Sequence, residues 1–111
     1  MEQDRSQQSW YPFYAYAELS VENSDVCLIT HVGELSRQGC RLYLTDRFPA
    51  GTSVVVKIYA WPHFFQARGT VCYSEDRFGV GINFEKIESN YASVLEACLL
   101  EAREQQRKGS G

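Results

Sequence analysis

Apolar residues recur at every second position through much of this chain, and a period of two marks a strand with one face buried. Phe13, Ala15, Ala17, Leu19 and Val21 share one face of the first run, and Tyr14, Tyr16, Glu18 and Ser20 share the other. Five later runs also read as strands, each bounded by turn-forming residues. Val26 to about Leu35 follows a turn composed of Glu22-Asn23-Ser24-Asp25. Cys40 to Leu44 places Cys40, Leu42 and Leu44 inward and Arg41 and Tyr43 outward. After a loop containing Pro49 and Gly51, Ser53 to Tyr59 is the most β-branched stretch, with Val54, Val56 and Ile58 on one face. Pro62 cannot donate to a ladder, so residues 60–63 must turn. Phe64 to about Ser74 then gathers Phe65, Ala67, Gly69, Val71 and Tyr73, and Val80 to Phe84 buries Val80, Ile82 and Phe84.

The period switches once. Tyr91, Val94, Leu95, Cys98, Leu99 and Ala102 recur at the three-four spacing of an amphipathic helix, with Glu96, Glu101 and Glu104 opposite. Ser89 or Asn90 can cap its start, and Arg103, Arg107 and Lys108 lie where the helix dipole favours cations. Six short strands and one terminal helix, with no strand-helix alternation, predict a mainly β fold, a small antiparallel barrel with a helix against it. At 111 residues the chain has room for one core. Residues 1–9 read as a flexible polar arm, 10–104 as the folded body and 105–111 as a polar tail.

Between the second and third runs lies Val32-Gly33-Glu34-Leu35-Ser36-Arg37-Gln38-Gly39-Cys40-Arg41-Leu42. Its Ser36 can bond nearby backbone amides, and Gly39 can take a positive φ, which suits a tight hairpin turn. This stretch also resembles the core motif of the PilZ family, bacterial β-barrel domains that act as receptors for cyclic di-GMP. That motif is Asp or Asn, any residue, Ser, two residues, then Gly, matched here by Glu34, Ser36 and Gly39. Tyr11-Pro12-Phe13, Phe48-Pro49-Ala50-Gly51-Thr52, Gly69-Thr70-Val71-Cys72-Tyr73 and Gly79-Val80-Gly81-Ile82-Asn83-Phe84 resemble family segments in the right order, so the likeness spans roughly Trp10 to Leu100. It implies a six-stranded antiparallel barrel with a C-terminal helix.

In that family an Arg-x-x-x-Arg motif precedes the first strand, and its guanidiniums grip the ligand's phosphates and guanine edges. A planar, permanently charged fork suits both. The corresponding positions hold Ser6 and Trp10. Arg5 stands one residue from the first, while Trp10 can stack on a base but cannot neutralise a phosphate. At about 1.5 to 3 kcal/mol for each charged hydrogen-bonding group lost, two missing arginines weaken binding by about two to four powers of ten. Glu34 also departs from Asp or Asn in reach. The candidate ligand residues are therefore Arg5, Glu34, Ser36, Arg37 and Gly39. Arg37 reads first as a solvated turn arginine, and Ser36 and Gly39 have turn-making reasons of their own.

Enzyme function finds no footing in the residues. The two histidines, His31 and His63, lie beside no serine or cysteine in a catalytic frame, and no phosphate-cradling Gly-x-x-x-x-Gly-Lys-Ser/Thr occurs. No catalytic residue, cofactor or metal is expected. A net charge of -3 and a pI near 5.3 argue against nucleic acid, although Tyr14, Tyr16, Tyr43 and Tyr59 fall on outward or ambiguous faces. Cys27, Cys40, Cys72 and Cys98 form no metal-ligand spacing and are expected to be buried, reduced thiols. The sequence shows no signal peptide or apolar span, so a cytoplasmic location is expected.

The expectation is a regulatory, protein-interacting module of second-messenger signalling that binds cyclic di-GMP weakly or not at all. The alternative is a true receptor that uses Arg5 and Arg37. Leu99 and Leu100 are adjacent, so one should be exposed to a protein partner or to a second copy in a weak homodimer.

Overall fold

A computed structural model describes residues 9–110, with side chains described through Arg107. Six antiparallel strands close a barrel: β1 (Tyr11–Val21), β2 (Cys27–Ser36), β3 (Gly39–Leu42), β4 (Ser53–Ala60), β5 (His63–Glu75) and β6 (Gly79–Ile87). Their order around the wall is β1-β2-β3-β6-β5-β4, with β4 returning to β1. Two three-stranded meanders are therefore joined at β3–β6 and β1–β4, and closure leaves no sheet edge exposed. The helix α1 (Ser89–Ser110) follows.

The inward faces match the alternation. Leu19, Val32, Leu35, Leu42, Val54, Val56, Ile58, Phe65 and Val80 are fully buried. Leu95, Cys98 and Leu99 of α1 join the same core, so the helix covers the barrel with its apolar stripe, against β5 and β1. Tyr91 packs on Phe64 with ring centroids 5.6 Å apart. Leu100, on the other side of the helix, is 57% exposed. Tyr91 and Ala92 both donate to the Glu88 carbonyl, so the cap position falls at Glu88, just before the expected Ser89.

Three local expectations are corrected. Strand β3 stops at Leu42, because the Leu44 amide turns back to donate to the Leu42 carbonyl at 3.0 Å and the Thr30 hydroxyl takes the Tyr43 carbonyl. This three-residue turn lifts Leu44 out of the ladder and leaves it only partly buried at the core's margin. Cys27 and Cys72 are exposed, whereas Cys40 and Cys98 are buried; all four are free thiols. Cys72 sits on the outward face of β5, between inward-facing Val71 and half-buried Tyr73, and Cys27 opens β2 opposite Ser20. Gly39 does not take a positive φ; those glycines are Gly51 and Gly79. Instead Gly39 pairs with Asn83 across β3–β6, and a Cβ there would lie 2.2 Å from the Ile82 carbonyl oxygen. Close approach of two backbones is what requires glycine at this position.

Candidate functional site

Ser36 ends β2 and is 1% exposed. Its Oγ accepts from the Gln38 amide at 3.0 Å and the Gly39 amide at 3.1 Å, and its hydroxyl donates to the Gly39 carbonyl at 3.4 Å. The Gln38 carbonyl in turn accepts from the Phe84 amide at 2.8 Å, which stitches the turn to β6. The hydroxyl of this serine is used inside the protein, as acceptor and as donor.

Arg37, at the turn's tip, reaches α1. Its Nε donates to Glu96 Oε2 at 2.8 Å and its Nη2 to Glu96 Oε1 at 2.6 Å, a two-pronged fork. The hydrogen bond from Arg37 lowers the Glu96 carboxyl below its ordinary range, and the same bond raises Arg37. Both side chains are largely exposed, so the tie is light and screened by salt. It still engages the one arginine of the turn.

Glu34 faces a different arginine. Arg41 on β3 donates from Nε to Glu34 Oε1 at 3.3 Å and from Nη1 to the Phe78 carbonyl at 3.1 Å. Its guanidinium lies 5.2 Å from the Tyr43 ring centroid and 4.8 Å from that of Phe78. With its side chain 13% exposed, Arg41 is enclosed by its own neighbours. Phe78 stacks in turn on Tyr73, centroids 5.7 Å apart. Tyr73 lies over Gly81, where a Cβ would come within 2.2 Å of its ring. Burial raises the Tyr73 hydroxyl's pKa, Arg41 opposes the rise and the Glu34 and Glu75 charges add to it.

These residues border a cleft of about 420 Å³. Glu34 and Gln38 come from the β2–β3 side and Trp10 from the approach to β1; Tyr73 and Phe78 come from the end of β5 and its turn, and the floor is β6 around Gly81. Among the described residues, Glu34 is the one charged residue lining it. Among the described residues no group of His, Cys, Asp and Glu is placed to hold a metal ion. The cleft can stack flat groups and accept hydrogen bonds.

The sequence profile described as PilZ domain matches residues 3–101, nearly the whole chain. The chain belongs to the PilZ domain family. A search of curated proteins gives no sequence match. Among solved structures, the chain is similar to the Bacillus subtilis inhibitor of motility (MotI/DgrA), with a TM-score of 0.71 and 14% sequence identity. The match covers 92% of this chain and 51% of that one, so the PilZ chain spans about half of that neighbour. At this identity the likeness is one of fold.

Of the candidate ligand residues, Glu34 lines the cleft, Ser36 and Gly39 build the turn beside it, and Arg37 points to the helix instead. Arg5 lies outside the described residues. Trp10, which the resemblance sets at the family's second arginine, stands at the cleft with 41% exposure. Sequence reasoning missed Arg41, Tyr73 and Phe78. The available signal was Gly81, a glycine inside a strand directly opposite Arg41, which marks where other groups close in.

Proposed function

We propose that this PilZ domain is a non-catalytic regulatory module of second-messenger signalling that works through protein contacts and binds cyclic di-GMP weakly or not at all. One observation carries the reading: among the described residues, the cleft beside the Ser36 turn is lined by a carboxylate and by no guanidinium. A ligand with two phosphates would meet Glu34 there, with Arg41 closed by its own partners and Arg37 engaged by Glu96. Repulsion from one carboxylate and the loss of two charged forks act in the same direction. A receptor relying on Arg5 and Arg37 would first have to free Arg37 from the helix. The solved neighbour's name, inhibitor of motility, describes a regulator, the kind of role proposed here.

Exposed Leu100 offers an apolar contact for a partner or a second copy. The proposed site of action is the cytoplasm; no helix among the described residues is long and apolar enough to cross a membrane. Isothermal titration with cyclic di-GMP at roughly tens of micromolar tests the reading. No saturable heat is expected. Saturable heat that disappears in Arg37→Ala would replace it with the receptor alternative.

A further inference from the structure

We propose that the cleft receives the guanidinium of an arginine side chain on a protein partner. This rests on reading the domain as an interaction module and names the chemistry it recognises. Three aromatic residues border the space, Trp10, Tyr73 and Phe78; Tyr73 and Phe78 stack on each other and Arg41 lies over Phe78, so the half-exposed Trp10 is the ring that offers a face to an incoming cation. The single charge of the lining among the described residues is the Glu34 carboxylate. An ionised carboxylate has about four lone-pair sites. Among the described residues it accepts one bond, from Arg41 to Oε1, at a long 3.3 Å. The side-chain carbonyls of Gln38 and Asn83 add neutral acceptors. An anion would find a like charge here, whereas a cation finds a carboxylate with open lone-pair sites beside its bond to Arg41, the Trp10 ring and neutral acceptors.

Shape selects among cations. A guanidinium is flat, stacks on rings, is weakly hydrated and donates from a fork, while an ammonium is compact and holds its water strongly. The protein already displays this recognition: Arg41 sits over Phe78 and bonds Glu34, at the margin of the same space. A volume of about 420 Å³ falls in the range of pockets that take small ligands, so one long side chain fits without opening the barrel.

The test is a two-dimensional NMR titration of the whole chain with N-acetylargininamide and, separately, N-acetylcitrullinamide, a neutral near-isostere. The arginine probe should give saturable shifts at the Trp10 indole N–H and at the Gly81, Ile82 and Asn83 amides. The citrulline probe should bind about tenfold more weakly, the difference expected for a cation on a ring face beside a carboxylate. Glu34→Gln should weaken the arginine probe to a similar degree. Because Glu34 also holds Arg41, Trp10→Ala supplies a second variant at the exposed rim, and it too should weaken binding. Equal affinity for both probes, shifts confined to other surfaces, no saturable shift, or unchanged affinity in Trp10→Ala would each overturn the proposal. Cyclic di-GMP added to the same sample separates the two levels. Cleft shifts that saturate at roughly tens of micromolar nucleotide would refute the interaction-module reading itself, and silence from both probes and nucleotide would refute the arginine site alone.

Discussion

Replacing Ser36 by alanine removes one oxygen that serves three hydrogen bonds at the turn between β2 and β3. The Gly39 amide donates to it from a buried position and the Gln38 amide from a partly buried one. At about 1 kcal/mol for each of the bonds lost, the expected destabilisation is about 2 to 3 kcal/mol. At a urea slope of 1 to 3 kcal/mol per molar, this lowers the unfolding midpoint by about 0.7 to 3 M with the slope unchanged. Equilibrium unfolding in urea, followed by circular dichroism, measures the shift. A midpoint within about 0.3 M of wild type would refute the argument that the fold itself requires this serine.

Gly39→Ala would push a methyl into the Ile82 carbonyl, which is backbone and cannot swing away, so a loss of about 3 kcal/mol in the same urea assay is expected. Leu99→Ala should cost about 2 to 5 kcal/mol, whereas Leu100→Ala should leave stability within about 0.5 kcal/mol and, if Leu100 joins two copies, abolish any concentration dependence in sedimentation velocity. A thiol reagent should modify Cys27 and Cys72 rapidly in the native protein and reach Cys40 and Cys98 only on unfolding. Burial pushes the Cys98 thiol up to about 11 and raises Cys40 as well. The folded chain therefore keeps protons that the unfolded chain releases near its ordinary thiol pKa of 9.0. Stability from these groups is fully present below that value and is lost as pH rises toward the folded pKa, so the urea midpoint should fall between pH 8 and 10.5; a midpoint that rises over that interval would contradict the sign.

What was legible in the sequence followed from period. Val54, Val56 and Ile58 alternate, and all three point into the barrel; Leu95, Cys98 and Leu99 keep helical spacing, and all three cover it. Which strands close on which is not in the alternation, since every β-run has the same signature, and the resemblance supplied the barrel. Tyr43 and Leu44 continue the period of β3, yet a local turn and the Thr30 hydroxyl end the strand before them. The alternation of β5 already placed Cys72 opposite Val71, but the general tendency of thiols to be buried outweighed it. Arg37 reads as solvated in the sequence because its partner Glu96 lies on an element far along the chain, and Arg41 reads as an outward residue. The enclosure of Arg41 depends on Phe78 and Tyr43 arriving from a different turn and from the end of β3.

The central claim, that the cleft lacks a positive clamp, is tested most directly by titrating cyclic di-GMP into the wild type and into a Ser6→Arg/Trp10→Arg variant side by side. The account predicts no saturable binding by the wild type at roughly tens of micromolar, and a gain of about two to four powers of ten in the variant. Micromolar binding by the wild type, or no gain in the variant, would contradict it.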